Sequence, residues 1–258
     1  MYRLFKYFYF LIKSKSEHAV HSPFAFDLIT RVLHKRNVPE KIWIRYLGIK
    51  KSLLKNNQVL DVNDFGANSK RLKSNQRKVY NIVKIAGISN KRAKILYQII
   101  NYFKPKKILE IGTSVGLSST IVSLASKDSE IITIEGCKKT LKLADQVFQN
   151  NNLENISSVC GKFEDVLPKI LDKNSFDFVF IDGNHTKEST INYFEMLLNS
   201  INNNSCLIFD DIYWSNGMQE AWKYIQKHPK VTLSIDTFQW GIIFFRKEQQ
   251  KEHFVIRV

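Results

Sequence analysis

From Asn90 to Lys247 the sequence alternates short apolar runs with amphipathic stretches, and this alternation constrains the fold more than any other feature. The runs Lys107–Ile111, Ile131–Glu135, Ile156–Cys160, Phe176–Asp182 and Cys206–Ile212 read as strands. Between them Leu117–Ser126, Lys138–Asn150, Phe163–Leu171 and Thr186–Ile201 have helical periodicity, as does Asn90–Phe103 before the first run. Near-continuous apolar strands separated by helices predict a parallel sheet covered on both faces. After a helix at Gly217–His228, Val231–Phe238 and Gly241–Lys247 are separated only by Gln239 and Trp240. That gap is too short for a crossover, so the pair should form an antiparallel hairpin.

The region before Asn90 is different in kind. Residues 1–107 hold 24 Lys/Arg against 5 Asp/Glu, whereas residues 108–258 hold 15 against 19. A basic segment attracts nucleic acid, an anionic membrane surface or an acidic substrate, or is a solvated lysine-rich surface. We therefore divide the chain into a mainly helical, basic extension over 1–89 and an α/β domain over 90–258. Tyr2–Lys13 reads as an amphipathic helix, with Leu4, Phe8, Leu11 and Ile12 on one face and Lys6, Tyr9 and Lys13 on the other. Such a helix docks on its own domain or a second copy, or lies on a membrane surface. His21-Ser22-Pro23-Phe24 marks a turn, and Phe26–Leu33 and Ile42–Leu54 read as helices. Gln58–Ser69, with Gly66, reads as a loop or short hairpin. No run approaches the roughly 20 apolar residues needed to cross a bilayer. Cys137, Cys160 and Cys206 form no paired spacing, so a disulfide framework is not expected and a cytoplasmic setting, peripheral to the inner membrane at most, is.

Three strand ends carry a binding pattern. The first strand ends Leu109-Glu110-Ile111-Gly112-Thr113-Ser114-Val115-Gly116 and opens a helix. Glycines there allow close backbone approach, and the helix start offers free N–H groups. Glu110 stands where a dinucleotide fingerprint would have its first glycine; a carboxylate would repel a pyrophosphate but accept hydrogen bonds from a cationic amino-acid moiety. Glu135, with Gly136, ends the second strand, where an acid can hold ribose hydroxyls. Gly161 and Phe163 follow the third, where a purine could lie.

The next two strand ends carry reactive groups. Asp182 ends the fourth, with His185 three residues on, and Asp210 and Asp211 end the fifth. Three convergent carboxylates repel one another unless protonated or joined by a cation. Oxygen donors suit Mg²⁺, Mn²⁺ or Ca²⁺, so Asp182, Asp210 and Asp211 are candidate metal ligands. His185, half-deprotonated near neutrality, is a candidate general base. Tyr213, Trp214 and Trp240 are core residues or the wall of an acceptor pocket.

With these motifs the chain resembles the class I S-adenosylmethionine-dependent methyltransferases: ILEIGTSVGLSS looks like their first motif, ITIEG their second and CGKFEDVL their third. The resemblance implies a Rossmann-like seven-stranded, mostly parallel sheet of order 3-2-1-4-5-7-6. It implies an S-adenosylmethionine site formed by Glu110, Gly112, Thr113, Ser114, Gly116, Glu135, Gly136, Gly161, Phe163 and Asp182. Asp182, His185, Asp210 and Asp211 together resemble the metal-dependent O-methyltransferases, and VHSPFAFDLI resembles a bacterial group of unassigned substrate. That likeness implies Asp182 and His185 as catalytic residues and a small-molecule or sugar-like hydroxyl as acceptor, in an enzyme expected to be homo-oligomeric. Nucleic-acid methylation is the alternative suggested by the basic segment. Against it, Asp182-Gly183-Asn184-His185 lacks the proline pair of base-amine methylation, and no Pro-Cys pair exists. A non-catalytic scaffold on the same fold is a third reading.

Overall fold

The structure, a computed structural model, describes residues 2–17, 20–63 and 74–258. In chain order its elements are α1 (Tyr2–Lys13), α2 (Pro23–Leu28), α3 (Glu40–Leu54), β1 (Val59–Asp61), β2 (Gln76–Lys78), α4 (Val79–Ile85), α5 (Asn90–Phe103), β3 (Lys107–Ile111), α6 (Leu117–Ala125), β4 (Glu130–Glu135), α7 (Lys138–Asn150), β5 (Ile156–Cys160) and α8 (Phe163–Leu171). They continue with β6 (Phe176–Ile181), α9 (Lys187–Leu197), β7 (Ile201–Asp210), α10 (Asn216–Lys227), β8 (Leu233–Asp236), β9 (Trp240–Phe244) and β10 (Glu252–Val255).

The chain forms two compact units, one of residues 35–166 and one that joins residues 1–34 to 167–258. The first two helices and α3–α5 belong to different units, because their apolar partners differ. Phe10 of α1 packs on Phe238 and Tyr213, whereas α3 packs on α4 and α6.

In the 35–166 unit the parallel strands run in the order β5-β4-β3. The register sets Glu110 beside Thr133 and Glu135 beside Cys160. β1 pairs antiparallel with β2, which lies beyond Gln58–Ser69, in the basic stretch that follows. Gly66, in the predicted loop or hairpin, lies outside the described residues. The N-cap of α5 is Ser89, one residue before Asn90, its side chain accepting from the Arg92 N–H.

In the other unit the order is β6-β7-β9-β8-β10. β6 and β7 are parallel, and β9 pairs antiparallel with both β7 and β8, as the short Gln239–Trp240 gap requires. The two orders reproduce the expected 3-2-1 and 4-5-7-6, with β10, parallel to β8, as one strand more. Phe176, Phe178, Phe180, Phe209, Phe244 and Trp240 are almost wholly buried, so these strands form a core on both faces. Pro23 in the first turn of α2 and the Ser22 hydroxyl, which accepts from the Ala25 N–H, explain the predicted turn as a helix start. All three cysteines are free thiols. Among the described residues no helix is long and apolar enough to cross a membrane.

Candidate active site

The 35–166 unit gathers its predicted residues at the C-terminal ends of β3, β4 and β5. Glu110 is 2% exposed, and its carboxylate accepts hydrogen bonds from the Thr133 hydroxyl (2.6 Å) and from Ser119 on α6. Because the one Thr133 proton is used on Glu110, the Thr113 hydroxyl, 2.6 Å away, donates to Thr133. The chain Thr113–Thr133–Glu110 thus ties the turn after β3 to β4. Gly112 N and Thr113 N both donate to the Ile134 carbonyl (2.9 and 3.1 Å).

Ser114 has φ of +49° and donates its backbone N–H to Glu135 Oε2 at 2.7 Å. The other oxygen of Glu135 accepts from the Cys137 N–H at 2.9 Å. A carboxylate has about four acceptor positions, so these bonds orient Glu135 and leave room for hydroxyl donors. Gly116 opens α6 at φ +81°, and a Cβ there would lie 2.7 Å from the Phe148 ring. Only glycine satisfies both conditions, which accounts for the second glycine of the motif. Beyond β5, Gly161 N donates to the Glu135 carbonyl at 3.0 Å, and a Cβ on Gly161 would meet Val166 at 2.5 Å. Gly136 sits between Glu135 and the start of α7, and half-buried Phe163 starts α8. Buried carboxylate, ordered glycine turn and oriented second acid fit a nucleoside-bearing ligand with a cationic amino-acid tail.

The other unit holds the residues predicted to be reactive. Asp182 follows β6 directly, and His185 Nε2 lies 3.5 Å from its Oδ1. Asn184 and His185 both take left-handed φ (+67° and +46°). Such geometry is costly away from glycine and persists only where its surroundings hold it. Here the Asn184 amide donates to Ser189 (2.8 Å) and Tyr193 (3.0 Å), and Thr186 caps α9. Asp210 ends β7 and is buried; Asp211 follows it at φ +50°.

Two expectations are corrected here. First, Asp182, Asp210 and Asp211 are not assembled as a metal triad: among the described residues no three His, Cys, Asp or Glu side chains form a group that could hold a metal ion. Asp211 instead makes an ion pair with Arg3 of α1 at 2.7 Å, and Asp182 pairs with His185. As arranged, the carboxylates pair with protein cations and form no site for Mg²⁺, Mn²⁺ or Ca²⁺ among the described residues. Second, His185 is not half-deprotonated near neutrality. Burial pulls its pKa down, but the Asp182 hydrogen bond and the charges of Asp182, Asp210 and Asp211 outweigh that and hold it at about 9. At neutral pH it is an imidazolium.

Trp214 lies between these cations, with Arg3 5.6 Å from its ring centroid and His185 6.4 Å from it. Tyr213 stacks on Phe238 (4.7 Å) and donates to buried Asp236 at 2.7 Å, whereas Trp240 is core. Of the three aromatics only Trp214 borders the reactive pair. Sequence reasoning missed Arg3, 208 residues from its partner, for which the sequence carries no local signal. It also missed Thr133, which strand register places opposite Glu110 and which could have been found by counting.

Residues 109–212 match a family described as a methyltransferase domain. Among curated proteins, the ribosomal RNA small subunit methyltransferase G of Clostridium tetani (strain Massachusetts / E88) is 29% identical over 84 residues. That match spans 33% of this chain and only about a third (35%) of the relative's own length. The caffeoyl-CoA O-methyltransferase of Stellaria longipes is 21% identical over 66% of this chain and 73% of its own. Among solved structures, the O-methyltransferase TomG from Streptomyces achromogenes, in complex with SAM, superimposes with a TM-score of 0.55 at 21% identity, over 62% of this chain and 81% of that one. The O-methyltransferase from Bacillus cereus, in complex with SAH, gives 0.57 at 19% identity, over 86% and 96%. Motif, fold and family match agree: over residues 109–212 the chain is similar to methyltransferase domains, and it shares the Rossmann-like fold of these O-methyltransferase structures.

Proposed function

We propose that this chain is an O-methyltransferase acting on a hydroxyl of a small-molecule or sugar-like acceptor, with the Asp182–His185 pair as its proton acceptor. The observation that carries this reading is that pair: a base held by a carboxylate at a strand end, in strained backbone, beside the Trp214 ring.

When bound, S-adenosylmethionine supplies an electrophilic methyl group on a sulfonium. The acceptor oxygen forms the new C–O bond as the C–S bond breaks and its electron pair returns to sulfur. The chain's task is alignment and proton removal. Glu135 would hold the ribose hydroxyls, Phe163 with Gly161 would take the purine, and the Gly112–Gly116 turn with Glu110 would hold the amino-acid end. Neutral His185, with its Nε2–H turned to Asp182, would take the acceptor's proton at Nδ1, and Asp182 would stabilise the resulting imidazolium. With a pKa of about 9 the neutral form is roughly 1% of the population at pH 7, so the rate should climb with pH towards 9. No step in this reading passes through a metal ion.

The test is S-adenosylhomocysteine release with a panel of phenols, sugars and aliphatic alcohols, the site of a deuterated methyl being read by mass spectrometry. Transfer to oxygen, lowered about 100-fold or more in His185→Gln with unchanged cofactor affinity, supports the reading. The basic segment and the 84-residue likeness favour a second reading, an RNA methyltransferase. Incorporation into RNA and into none of the hydroxyl acceptors would replace the first reading with it.

A further inference from the structure

α1 turns its apolar stripe outward. Leu4, Phe8 and Ile12 recur every four residues and share one side, with Phe5 next to them. Their exposures are 61%, 58%, 82% and 71% respectively. The sequence pattern predicted this stripe as a docking face. It does not dock because the opposite side has stronger partners within its unit. Phe10 is buried against Phe238 (5.4 Å) and Tyr213 (6.5 Å), and Tyr7 meets the Phe238 edge at 4.9 Å. Arg3 is ion-paired to Asp211, Tyr2 donates to Gln219 at 2.9 Å, and Lys15 bridges to Ile256 just past the helix. The helix is therefore fixed along one side and at both ends while four large apolar side chains face water. A continuous exposed apolar surface of this kind marks an interaction site.

The charge around the stripe chooses the partner. The helix contains Arg3, Lys6 and Lys13 and no acidic residue, and the chain carries a net charge of +15. Lys6 and Lys13 lean over the Tyr2 and Tyr9 rings (5.4 and 4.6 Å), on the flank of the helix away from the centre of the stripe. A second copy of α1 laid on the first would oppose lysines to lysines with no carboxylate on either helix to pair with them. An anionic lipid surface offers acyl chains to Leu4, Phe5, Phe8 and Ile12 and headgroup charge to the lysines. We propose that the outer face of α1 is a peripheral docking surface for an anionic membrane, lying in the headgroup plane. The inference does not depend on the acceptor, and its readout is lipid partition, not methyl transfer.

The test is co-sedimentation of the full chain with vesicles of phosphatidylcholine carrying 30% phosphatidylglycerol, compared with phosphatidylcholine alone. Binding should be at least about tenfold tighter to the anionic vesicles, and it should weaken as salt is raised. Leu4→Ser/Phe8→Ser/Ile12→Ser should lower partition on the order of 100-fold with an unchanged circular dichroism spectrum. Lys6→Gln/Lys13→Gln should remove most of the preference for phosphatidylglycerol. In Phe8→Trp, the added emission should shift blue and be quenched by brominated lipid on anionic vesicles, a readout that holds even if the triple variant fails to fold. Wild-type pelleting no greater than without lipid would overturn the proposal. So would added emission in Phe8→Trp that brominated lipid leaves unquenched, or a wild-type dimer that the triple variant dissolves without any lipid binding.

Discussion

The Asp182–His185 pair makes a quantitative prediction for Asp182→Asn. The carboxylate oxygen lies 3.5 Å from His185 Nε2, and both side chains are about a quarter exposed. At that separation two unit charges attract by about 1 kcal/mol at the dielectric constant of water and by about 2.5 kcal/mol at half that value. One pKa unit corresponds to about 1.4 kcal/mol, so removing the Asp182 charge should lower the His185 pKa by about 1 to 2 units. From about 9 it should fall to between about 7 and 8; Asp210 and Asp211, which also raise it, keep it above the ordinary histidine value. The sign for stability follows from a folded pKa above the unfolded one. The stabilisation from the charged His185 is complete below about pH 6.5 and is lost as pH rises through 9. NMR titration of the His185 ring, assigned with His185→Gln, measures the shift directly. Thermal melts between pH 6 and pH 10 should show a decline in the wild type that is shallower in Asp182→Asn. A variant pKa within half a unit of the wild-type value would refute the electrostatic reasoning.

Buried Asp236, which accepts from Tyr213 and from the Phe238 N–H, is pushed up by burial to about 6. The folded protein should then lose stability as pH rises from about 4 to 6. Asp236→Asn should gain on the wild type by up to about 3 kcal/mol across that range in denaturant melts; a gap that ignores pH would contradict this. Gly116→Ala forces a side chain into φ +81° and against Phe148, so it should cost about 1–3 kcal/mol of stability and weaken S-adenosylmethionine binding by calorimetry. Methyl transfer should persist in excess chelator, since Arg3 and His185 balance the acidic residues without a metal; loss of activity restored by Mg²⁺ would contradict this.

The sequence made the parallel strands legible because each is a short run bounded by polar turns, and β3 and β6 are largely buried on both faces. β3 and β5 have the predicted limits. β7 begins at Ile201, five residues before its apolar run, because Asn202–Ser205 are polar yet still part of the strand. β10 was missed altogether: four residues with only Phe254 well buried carry too little periodicity to register. The cofactor motif was legible because its glycines and acids are local in sequence. The ionic balance around Asp211 was not, because it depends on Arg3, and neither was the outward turn of Leu4, Phe8 and Ile12, because it depends on Phe238 and Tyr213. Pairings over such separations leave no periodic trace. The His185 pKa likewise reflects three carboxylates on two strand ends, a sum that spacing alone does not supply.

The unit that carries Asp182 and His185 is built from the first 34 residues and the last third of the chain. During synthesis α1 leaves the ribosome 208 residues before Asp211, the anchor for Arg3. At about 5–20 residues per second that interval is on the order of 10 to 40 s. Through it the helix segment waits with its aromatic residues unburied while residues 35–166 emerge. Closure of this unit therefore waits for the last third of the chain, up to β10 and the bridge from Lys15 to Ile256.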